Sequence, residues 1–430
     1  MSPRVDWGDA PGSRFAERRG WIVVIGAFVT MFVTFGVAYS FSPFFVSLEQ
    51  TFHASRRAIS LVFSIAVPLY FFLGAVSGPL ADRLGARRVC ASGTVIGGLG
   101  LIYAARAHEL WQVYVGFGIG VGVGVGFSYV PSIAAVQQWF DVRRGLASGI
   151  AVSGIGVGTL AMPLVAAALI DWIGWRGAWS TLGAMVIVVG GGATVLIKNA
   201  PGSENGLRSG AAGRPAMDLA GVPQRDVSVS EAVTSRPFVL LYLGLVSISI
   251  GAFTPFVHLM PFAEDNGVAH RAAVVILSLV GVGSTVGRFL LGGTADRIGR
   301  RRSLVGVFGG LAVMQLWWLA STTAWQLAVF AMVFGTFYGG FVAIYPALTV
   351  DHFGNRYASG IIGILYTGCT IGTFIGPLLA GAAFDALGSY TLPIAVGAAF
   401  ALVAMTLVLF TPEPATVSAP KIAEDGQVRV

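Results

Sequence analysis

The sequence predicts an all-α integral membrane protein in which twelve transmembrane helices form two pseudo-symmetric six-helix bundles. Three observations predict this fold: a low charged fraction, twelve long apolar segments, and a motif that occurs once in each half. Of the 430 residues, 55% are hydrophobic and 11% are charged, whereas about 25% are charged in a typical soluble protein. Such a composition indicates a chain that crosses the bilayer many times.

Twelve apolar segments are each long enough to cross a hydrocarbon core about 30 Å thick as an α-helix. An α-helix rises about 1.5 Å per residue, and membrane-spanning helices have about 17 to 25 residues. The segments are Gly20 to Leu48, Ala58 to Leu80, Val89 to Ala105, Trp111 to Val136, Gly145 to Ile170, Ala178 to Ile197, Phe238 to Phe262, Ala272 to Thr294, Leu304 to Ala320, Trp325 to Val350, Ala358 to Phe384 and Tyr390 to Phe410.

These segments divide into two sets of six. The predicted organisation is an N-terminal tail (1–19), a first bundle (20–198), a linker (199–236), a second bundle (237–410) and a C-terminal tail (411–430). The linker is rich in Gly, Ser, Ala and Pro, which predicts a flexible connection. A short surface helix is expected within Val227 to Ser235.

Lys and Arg are distributed unevenly between the loops. If both termini are cytoplasmic, the cytoplasmic loops and tails carry 21 of these residues and the outer loops carry five. Such a bias marks the cytoplasmic side, so we expect a multi-pass protein of the plasma membrane, most simply a bacterial inner membrane. The net charge of +7 follows from this topology and therefore gives no support to nucleic-acid binding.

The two halves contain a repeated sequence. Gly78 to Arg88 matches Gly292 to Arg302 at an offset of 214, and the same offset relates Asp171 to Asp385. One register held over separate segments indicates two copies of a six-helix unit. Two such bundles facing each other across a central site are typical of alternating-access transporters.

The repeated turn resembles the motif Gly-x-x-x-Asp-Arg-x-Gly-x-Arg-Arg of the major facilitator superfamily, and the resemblance extends over about residues 20 to 410. Within that superfamily the chain is most similar to monocarboxylate-transporter-like and oxalate:formate-antiporter-like members. Three features carry this likeness: Arg19 to Phe28 opening span 1, Gln138 to Gly154 opening span 5, and Arg288 in span 8. The resemblance implies a secondary transporter of a small carboxylate.

The resemblance also implies a gating role for the cytoplasmic turns, without substrate contact. Their carboxylates are expected to accept hydrogen bonds or to face a helix N-terminus, while the basic residues hold the cytoplasmic face. The alternative is that these turns are tight and positively charged for topology alone. The predicted gating residues are Asp82, Arg83, Gly85, Arg143, Arg144, Asp296, Arg297 and Gly299.

Arg288 is the one charged residue that the sequence places deep inside a predicted span. It lies 17 residues after Arg271 and 8 before Asp296, so it is about 12 Å from the Asp296 end. Placing an arginine there costs at least about 2.5 to 3.5 kcal/mol and calls for an anionic partner. No acidic residue lies at comparable depth, so a substrate carboxylate is the predicted partner. The alternative is pairing with backbone carbonyls and water.

Three positions differ from the families that the chain resembles. Animal-type monocarboxylate transporters carry an Asp one turn before this Arg, where the chain has Ser284, and a Lys in span 1, where it has Tyr39. Both groups are credited with proton handling, so these departures from the family pattern favour anion binding over proton symport. Oxalate:formate-type members carry a Lys at the position of Cys369. One fixed positive charge favours a substrate with one negative charge.

Three polar side chains complete the predicted binding site. Tyr129 and Tyr345 occupy near-equivalent places in spans 4 and 10, and their hydroxyls can reach the second oxygen of a carboxylate. His258 in span 7 is a candidate for substrate or proton contact because imidazole titrates near neutral pH. For each of the three, a hydrogen bond that only stabilises the fold is the alternative. The predicted substrate-binding residues are Arg288, Tyr129, Tyr345, His258, Tyr39, Ser284 and Cys369.

The sequence thus predicts a monomeric secondary transporter that moves a lactate-like or pyruvate-like monocarboxylate through the lipid bilayer, with or without a proton. The alternatives are an oxalate-like dicarboxylate antiporter, a drug exporter whose cationic cargo Arg288 would repel, and a membrane sensor. No nucleophile–base pair, metal cluster or nucleotide motif is present, so we expect no enzyme activity, cofactor or metal. Cys90 and Cys369 fall in separate halves and indicate neither a disulfide nor a metal site.

Overall fold

The computed structural model describes residues 11–140, 144–198, 227–354 and 357–413, with the backbone alone at residues 11–17, 144, 145 and 359. Within these ranges the chain is helical and contains no β-strand. The all-α prediction is therefore confirmed.

The first half consists of eight helices with a 3-10 turn and two π-helical segments between them. The helices are α1 (Pro11–Tyr39), α2 (Phe45–Phe52), α3 (Arg56–Leu84), α4 (Ala86–Ala105), α5 (Leu110–Val113), α6 (Gly122–Gln137), α7 (Arg144–Met185) and α8 (Gly191–Thr194). The 3-10 turn is Ser42–Phe44, and the π-helical segments are Tyr114–Val121 and Val186–Gly190.

The linker contributes one short helix, and the second half contributes seven. They are α9 (Val229–Thr234), α10 (Arg236–Ala252), α11 (Pro255–Asp265), α12 (His270–Ile298), α13 (Arg300–Leu319), α14 (Ala324–Phe353), α15 (Ala358–Leu387) and α16 (Thr391–Leu409). The helix expected within Val227 to Ser235 is confirmed by α9. The Ser228 hydroxyl caps it by accepting from the Glu231 backbone N–H at 3.3 Å.

Eleven helical stretches in the described residues are long and apolar enough to cross a membrane. One of them, Leu146–Thr194, has 49 residues, which would make it about 74 Å long at 1.5 Å per residue. That length is more than twice the hydrocarbon thickness. Gly174 interrupts the stretch with φ 71° and ψ 167°, a conformation that is essentially limited to glycine. The stretch therefore crosses twice, which accounts for the twelve predicted spans.

The repeat seen in the sequence is also present in the backbone. Helices α3 and α12 begin and end 214 residues apart, and so do α4 and α13. The turns between these helices contain Gly85 at φ 87° and Gly299 at φ 96°. The same offset relates Gly174 to Gly388, at φ 71° and 65°. Glycine adopts positive φ easily because it lacks a Cβ, so these positions set the connections between helices.

The first and seventh predicted spans each contain a break. Helix α1 ends at Tyr39, and the chain turns through Ser42–Phe44 before α2 begins. Pro43 lies in that turn and has no backbone N–H to donate. In the second half, α10 ends at Ala252 and Pro255 begins α11. These breaks leave α2 and α11 as separate short helices that contact each other.

The two halves meet along two helix pairs, α7 with α12 and α3 with α15. Glycines allow close approach in both pairs. A Cβ placed on Gly281 of α12 would lie 2.3 Å from the backbone nitrogen of Leu160 in α7. A Cβ on Gly381 of α15 would lie 2.8 Å from the carbonyl oxygen of Arg56 in α3. Small residues at such positions let helix backbones pack directly.

We name the two ends of the bundle by residues that lie there. The Arg56 face carries Arg56, Asp265 and Asp385, and the Asp82 face carries the repeated turns with Asp82 and Asp296. Both names refer to position in the fold.

Candidate functional site

Arg288 lies at the interface between the halves. Its Nη1 donates to the carbonyl oxygen of Val152 in α7 at 3.1 Å. Its Nε is buried and has no hydrogen-bond partner among the described residues, where no carboxylate pairs with this side chain either. A guanidinium has five N–H donors, so most of its hydrogen-bonding capacity is unused.

Local packing of α12 explains why Arg288 points toward α7. A Cβ on Gly283 would lie 2.1 Å from the Met332 carbonyl oxygen in α14, and a Cβ on Gly287 would lie 1.9 Å from that of Thr336. These glycines therefore press one side of α12 against α14. Arg288 lies seven residues, about two helical turns, after Gly281, so it is on the side of α12 that packs against α7.

Three tyrosine hydroxyls, those of Tyr39, Tyr129 and Tyr338, lie within electrostatic range of the Arg288 guanidinium. Tyr39 and Tyr129 come from α1 and α6 in the first half, and Tyr338 comes from α14 in the second. The Tyr129 hydroxyl makes no hydrogen bond within the described part of the chain. The surroundings of the charge are thus polar and neutral.

A chain of tyrosine hydroxyls crosses from one half to the other. The Tyr39 Oη lies 3.1 Å from the Tyr70 Oη and 3.2 Å from the Tyr338 Oη. All three side chains are at most 5% exposed. The hydroxyls satisfy one another and close the centre of the protein, so a ligand at this place must separate them.

Aromatic rings enclose the tyrosine hydroxyls. The Phe35 ring meets Tyr70 and Tyr129 edge-on, each at 5.7 Å between centroids. The Phe256 ring stacks on Tyr39 at 4.7 Å and meets Tyr338 at 5.2 Å. The site therefore combines one cation and several hydroxyls with an apolar wall.

Sequence reasoning missed Tyr70 as a member of this cluster. The signal was present in the repeat, because Tyr70 lies 214 residues before Ser284, the position one turn before Arg288. Ser284 itself is buried, and its carbonyl lies against Gly339 of α14. The same position of the repeat is thus a tyrosine in the first half and a serine in the second.

Two other predicted binding residues have partners in the second half. Cys369 is buried and accepts a hydrogen bond from the Ser249 hydroxyl at 3.3 Å, and its thiol is within electrostatic range of Tyr39 and Tyr338. Tyr345 donates to the carbonyl oxygen of Leu241 in α10 and is not among the groups that interact with Arg288. The structure brings Cys369 close to the tyrosine cluster and leaves the Tyr345 hydroxyl bonded to backbone.

His258 lies away from Arg288, in a polar network near the Arg56 face. It is fully buried, and its Nδ1 is 3.1 Å from the Tyr390 hydroxyl. Its Nε2 is 2.9 Å from the Pro377 carbonyl oxygen and 3.1 Å from the Ser60 hydroxyl. The structure therefore separates His258 from the other predicted binding residues.

The Arg56 network itself was not predicted. The Arg56 guanidinium donates to both oxygens of Asp265 at 2.5 and 2.8 Å and to the Tyr390 hydroxyl at 2.8 Å. Both oxygens of Asp385 accept backbone N–H groups, from Arg56 and Arg57, at 2.9 Å each. Carboxylates of the second half thus pair with the side chain and cap the helix N-terminus of the first half. No group of three or more His, Cys, Asp or Glu in the described residues has an arrangement able to hold a metal.

The predicted gating residues make no hydrogen bond or ion pair with the opposite half where their side chains are described. Asp82, Arg83 and Arg297 are exposed and unpaired there. Asp296 is bonded within its own half to Arg300 at 3.2 Å, and Arg300 also donates to Asp351 at 2.5 Å. Gly85 and Gly299 form the turns described above. Arg143 and the side chain of Arg144 lie outside the described residues.

The family model described as Major Facilitator Superfamily matches residues 27–314 and 239–429, which together include both halves. The chain belongs to the major facilitator superfamily. This transporter is similar to monocarboxylate transporter 12-B of Danio rerio, with 28% identity over 91% of this chain and 86% of the relative. It is also similar to the MFS-type transporter pynF of Aspergillus niger, with 29% identity over 86% of this chain and 82% of the relative.

A solved structure has the same fold as this transporter. It is the crystal structure of a bacterial homologue of the human lysosomal transporter Spinster in an inward-facing and unoccupied conformation, with a TM-score of 0.64 and 14% identity. The alignment covers 94% of this chain and 95% of that chain. Family and fold together establish a membrane transporter rather than an enzyme.

Proposed function

We propose that this transporter moves a small monocarboxylate across the membrane and that Arg288 binds the carboxylate. The observation that carries the proposal is the guanidinium at the interface between the halves, whose Nε is buried and unpaired. A carboxylate fits the edge of a guanidinium through two parallel charge-assisted hydrogen bonds. Binding would satisfy the unpaired donor and neutralise a charge that is costly to hold in a membrane.

The charges around the site support a substrate with one negative charge. The groups that interact electrostatically with Arg288 are tyrosine hydroxyls, which are neutral. Cys369, at the place where dicarboxylate-binding members of the family carry a Lys, adds no charge. A monocarboxylate paired with Arg288 leaves the site neutral, whereas a dianion would leave a net negative charge in a low-dielectric environment.

The aromatic wall supports a substrate with a short apolar part. Phe35 and Phe256 pack against the tyrosines that face Arg288. Lactate-like and pyruvate-like anions have one carboxylate, one further oxygen and a methyl group. The carboxylate would bind Arg288, the second oxygen would bond to a tyrosine hydroxyl, and the methyl group would contact the phenylalanine rings.

Contacts that join the halves at the same site support transport by alternating access. The bond from Arg288 to Val152 and the bond between Tyr39 and Tyr338 both cross the interface. A carboxylate that takes the Arg288 donors and a tyrosine hydroxyl competes with these contacts. A ligand shifts a conformational equilibrium by its difference in affinity for the two states, so substrate binding at this place acts on the equilibrium between them.

The membrane topology belongs to the same proposal. The Asp82 face is cytoplasmic in the orientation that the Lys and Arg distribution favours, and the Arg56 face is outside. We place the transporter in the plasma membrane, acting as a monomer. Relatives named as monocarboxylate transporters from fish, amphibians and mammals, at 26–29% identity, support the substrate class.

Counterflow in proteoliposomes tests the proposal. Purified transporter is reconstituted in vesicles loaded with unlabelled pyruvate, lactate, oxalate or a quaternary ammonium ion, and uptake of each labelled compound is followed with and without a pH gradient. We expect exchange among the monocarboxylates and none of the cation. Exchange of oxalate above that of every monocarboxylate would replace the proposal with dicarboxylate antiport. Absence of exchange for all carboxylates would refute it.

A further inference from the structure

The Arg56 face is closed by polar contacts that join the two halves at four places. Asp265 pairs with the Arg56 side chain, and Asp385 caps the N-terminus of α3. The Ser42 hydroxyl donates to the Val257 carbonyl oxygen at 2.9 Å. The fourth contact is His258 of α11, which meets Ser60 of α3. Beside the Asp265 pair, Arg56 also donates to the Tyr390 hydroxyl of the second half at 2.8 Å. This face therefore separates only if all of these contacts break.

Hydrogen-bond directions fix the form of His258 in this closed network. The Pro377 carbonyl can only accept, so the hydrogen that lies between it and the imidazole belongs to Nε2. The Ser60 hydroxyl donates to the Arg56 carbonyl oxygen at 2.6 Å, so it too can only accept from Nε2. The assignment of the tautomer thus follows from its partners.

Nδ1 must then be the acceptor. Arg56 Nη1 donates to the Tyr390 oxygen at 2.8 Å, and the hydroxyl hydrogen of Tyr390 is free to point at His258 Nδ1, 3.1 Å away. The network runs from Arg56 through Tyr390 to His258 and ends on Pro377 and Ser60. Every hydrogen has an acceptor only while the imidazole is neutral.

A proton on Nδ1 breaks this pattern. Nδ1 would become a donor, so two donors, Nδ1–H and Arg56 Nη1–H, would point at one tyrosine oxygen, and the Tyr390 hydrogen would lose its acceptor. The imidazolium and the Arg56 guanidinium would also face the same neutral hydroxyl. The carboxylates that face this region do not bond to the imidazole, because Asp385 holds the α3 backbone and Asp265 and Glu49 face Arg56.

We propose that His258 is a proton-binding site that controls the Arg56 face, which closes only when the imidazole is neutral. The proton acts as a ligand of the open state, separate from the substrate carboxylate at Arg288. The inference rests on the proposed carrier function, since it assumes that the Arg56 face opens and closes during transport. An imidazole in water titrates at about pH 6.5, so acid outside the membrane is expected to hold this face open. Below the pH at which the His258 imidazole of the open state becomes protonated, each further decrease of one pH unit lowers the fraction of closed transporter by up to about tenfold.

A buried cysteine reports the opening of this face. Ser42→Cys places a thiol in the interface, since Ser42 is 1% exposed, and Thr322→Cys places one in an exposed loop on the same face. Labelling by a membrane-impermeant maleimide is measured in right-side-out vesicles at pH 5.5 and pH 8, without substrate. The Ser42→Cys rate is divided by the Thr322→Cys rate, which removes the intrinsic pH dependence of thiol chemistry. The native Cys90 and Cys369 are buried and are retained.

We expect the normalised rate to be at least about fivefold higher at pH 5.5 than at pH 8. His258→Gln, which cannot take up a proton in this range, should remove the difference. His53→Asn and His270→Gln should retain it, because these exposed histidines lie on the same face and outside the network. Size-exclusion chromatography verifies that each variant is folded.

Three results would overturn the proposal: no acid-induced rise in the wild-type background, the same rise in His258→Gln, or its loss in His270→Gln alone.

If His258→Gln does not fold, Tyr390→Phe provides the second test, since removing the hydroxyl breaks the path from Arg56 to the imidazole and should reduce the pH response. The assay contains no carboxylate, so it is independent of substrate identity. Arg288→Ala combined with Ser42→Cys should keep the pH response even though that variant is expected to lose transport.

Discussion

Arg288 in the second half donates through Nη1 to the carbonyl oxygen of Val152 in the first half, at 3.1 Å. The residue proposed to bind the substrate carboxylate is therefore also a contact between the two halves. A carboxylate that engages the remaining donors changes the surroundings of this contact directly. Under the proposed function, binding and conformational change are coupled at this side chain.

Tyr39→Phe should weaken substrate binding by about two- to twelvefold, because one hydrogen bond of roughly 0.5 to 1.5 kcal/mol is removed. Its hydroxyl lies beside Arg288 and bonds to Tyr70 and Tyr338. Tyr345→Phe is the matched control, since that hydroxyl bonds to the Leu241 carbonyl. Equilibrium binding of a labelled monocarboxylate measures both. Equal losses in the two variants would argue against a substrate contact at Tyr39.

Asp385→Ala should weaken closure of the Arg56 face, because it leaves two backbone N–H groups at the start of α3 without their acceptors. We expect Ser42→Cys labelling at pH 8 to rise severalfold. Asp171→Ala is the matched control, since Asp171 is the repeat equivalent of Asp385 and has no partner in the described part of the chain. A rise of the same size in Asp171→Ala would show that the cap does not hold this face.

Asp82→Asn and Asp296→Asn should slow turnover and leave substrate affinity nearly unchanged. Both turns lie at the Asp82 face, far from Arg288, and Asp82 is unengaged in this conformation. A gating residue that forms its contact only when the Asp82 face closes is expected to be unpaired in this way. Exchange rates in proteoliposomes and binding in detergent separate the two quantities. Loss of binding with unchanged exchange would contradict the gating role.

Gly174→Ala should lower the stability of the transporter by about 1 to 3 kcal/mol, because φ 71° and ψ 167° are strained for a residue with a Cβ. Gly149→Ala is the control, since its Cβ would meet no atom within 4 Å. Thermal unfolding of both variants in detergent gives the comparison. An unchanged melting temperature for Gly174→Ala would mean that this connection can adopt another conformation.

Much of the fold could be predicted because it depends on local properties of the chain. Apolar length determines the spans, and the glycines at 85 and 299 fix identical turns in each half. The break near Tyr39 was less visible, since Ser, Phe and Pro in that stretch are apolar enough to continue a span. Gly174 was likewise not recognised as a positive-φ position, although the repeat relates it to Gly388.

The site was predictable in part for a different reason. A charge such as Arg288 is unusual in an apolar helix and can be recognised without knowing its neighbours. Arg56 cannot, because its role comes from residues about 200 to 330 positions away in the chain, Asp265 and Asp385. Tyr70 was marked only by the repeat, and its hydrogen-bond partner Tyr39 lies 31 positions away. Tyr345 is the opposite case. Its sequence position predicted a contact with the substrate, but its hydroxyl donates to a backbone carbonyl.

Equilibrium binding of labelled pyruvate to Arg288→Lys tests the central claim most directly. Lysine keeps the charge and loses the planar two-point geometry, so we expect binding to weaken at least about tenfold, as for a lost charged hydrogen bond of roughly 1.5 to 3 kcal/mol. Arg297→Lys is the matched control, because Arg297 is exposed and unpaired in the described residues, and it should bind as the wild type does. Wild-type affinity in folded Arg288→Lys and Arg288→Ala would contradict the account.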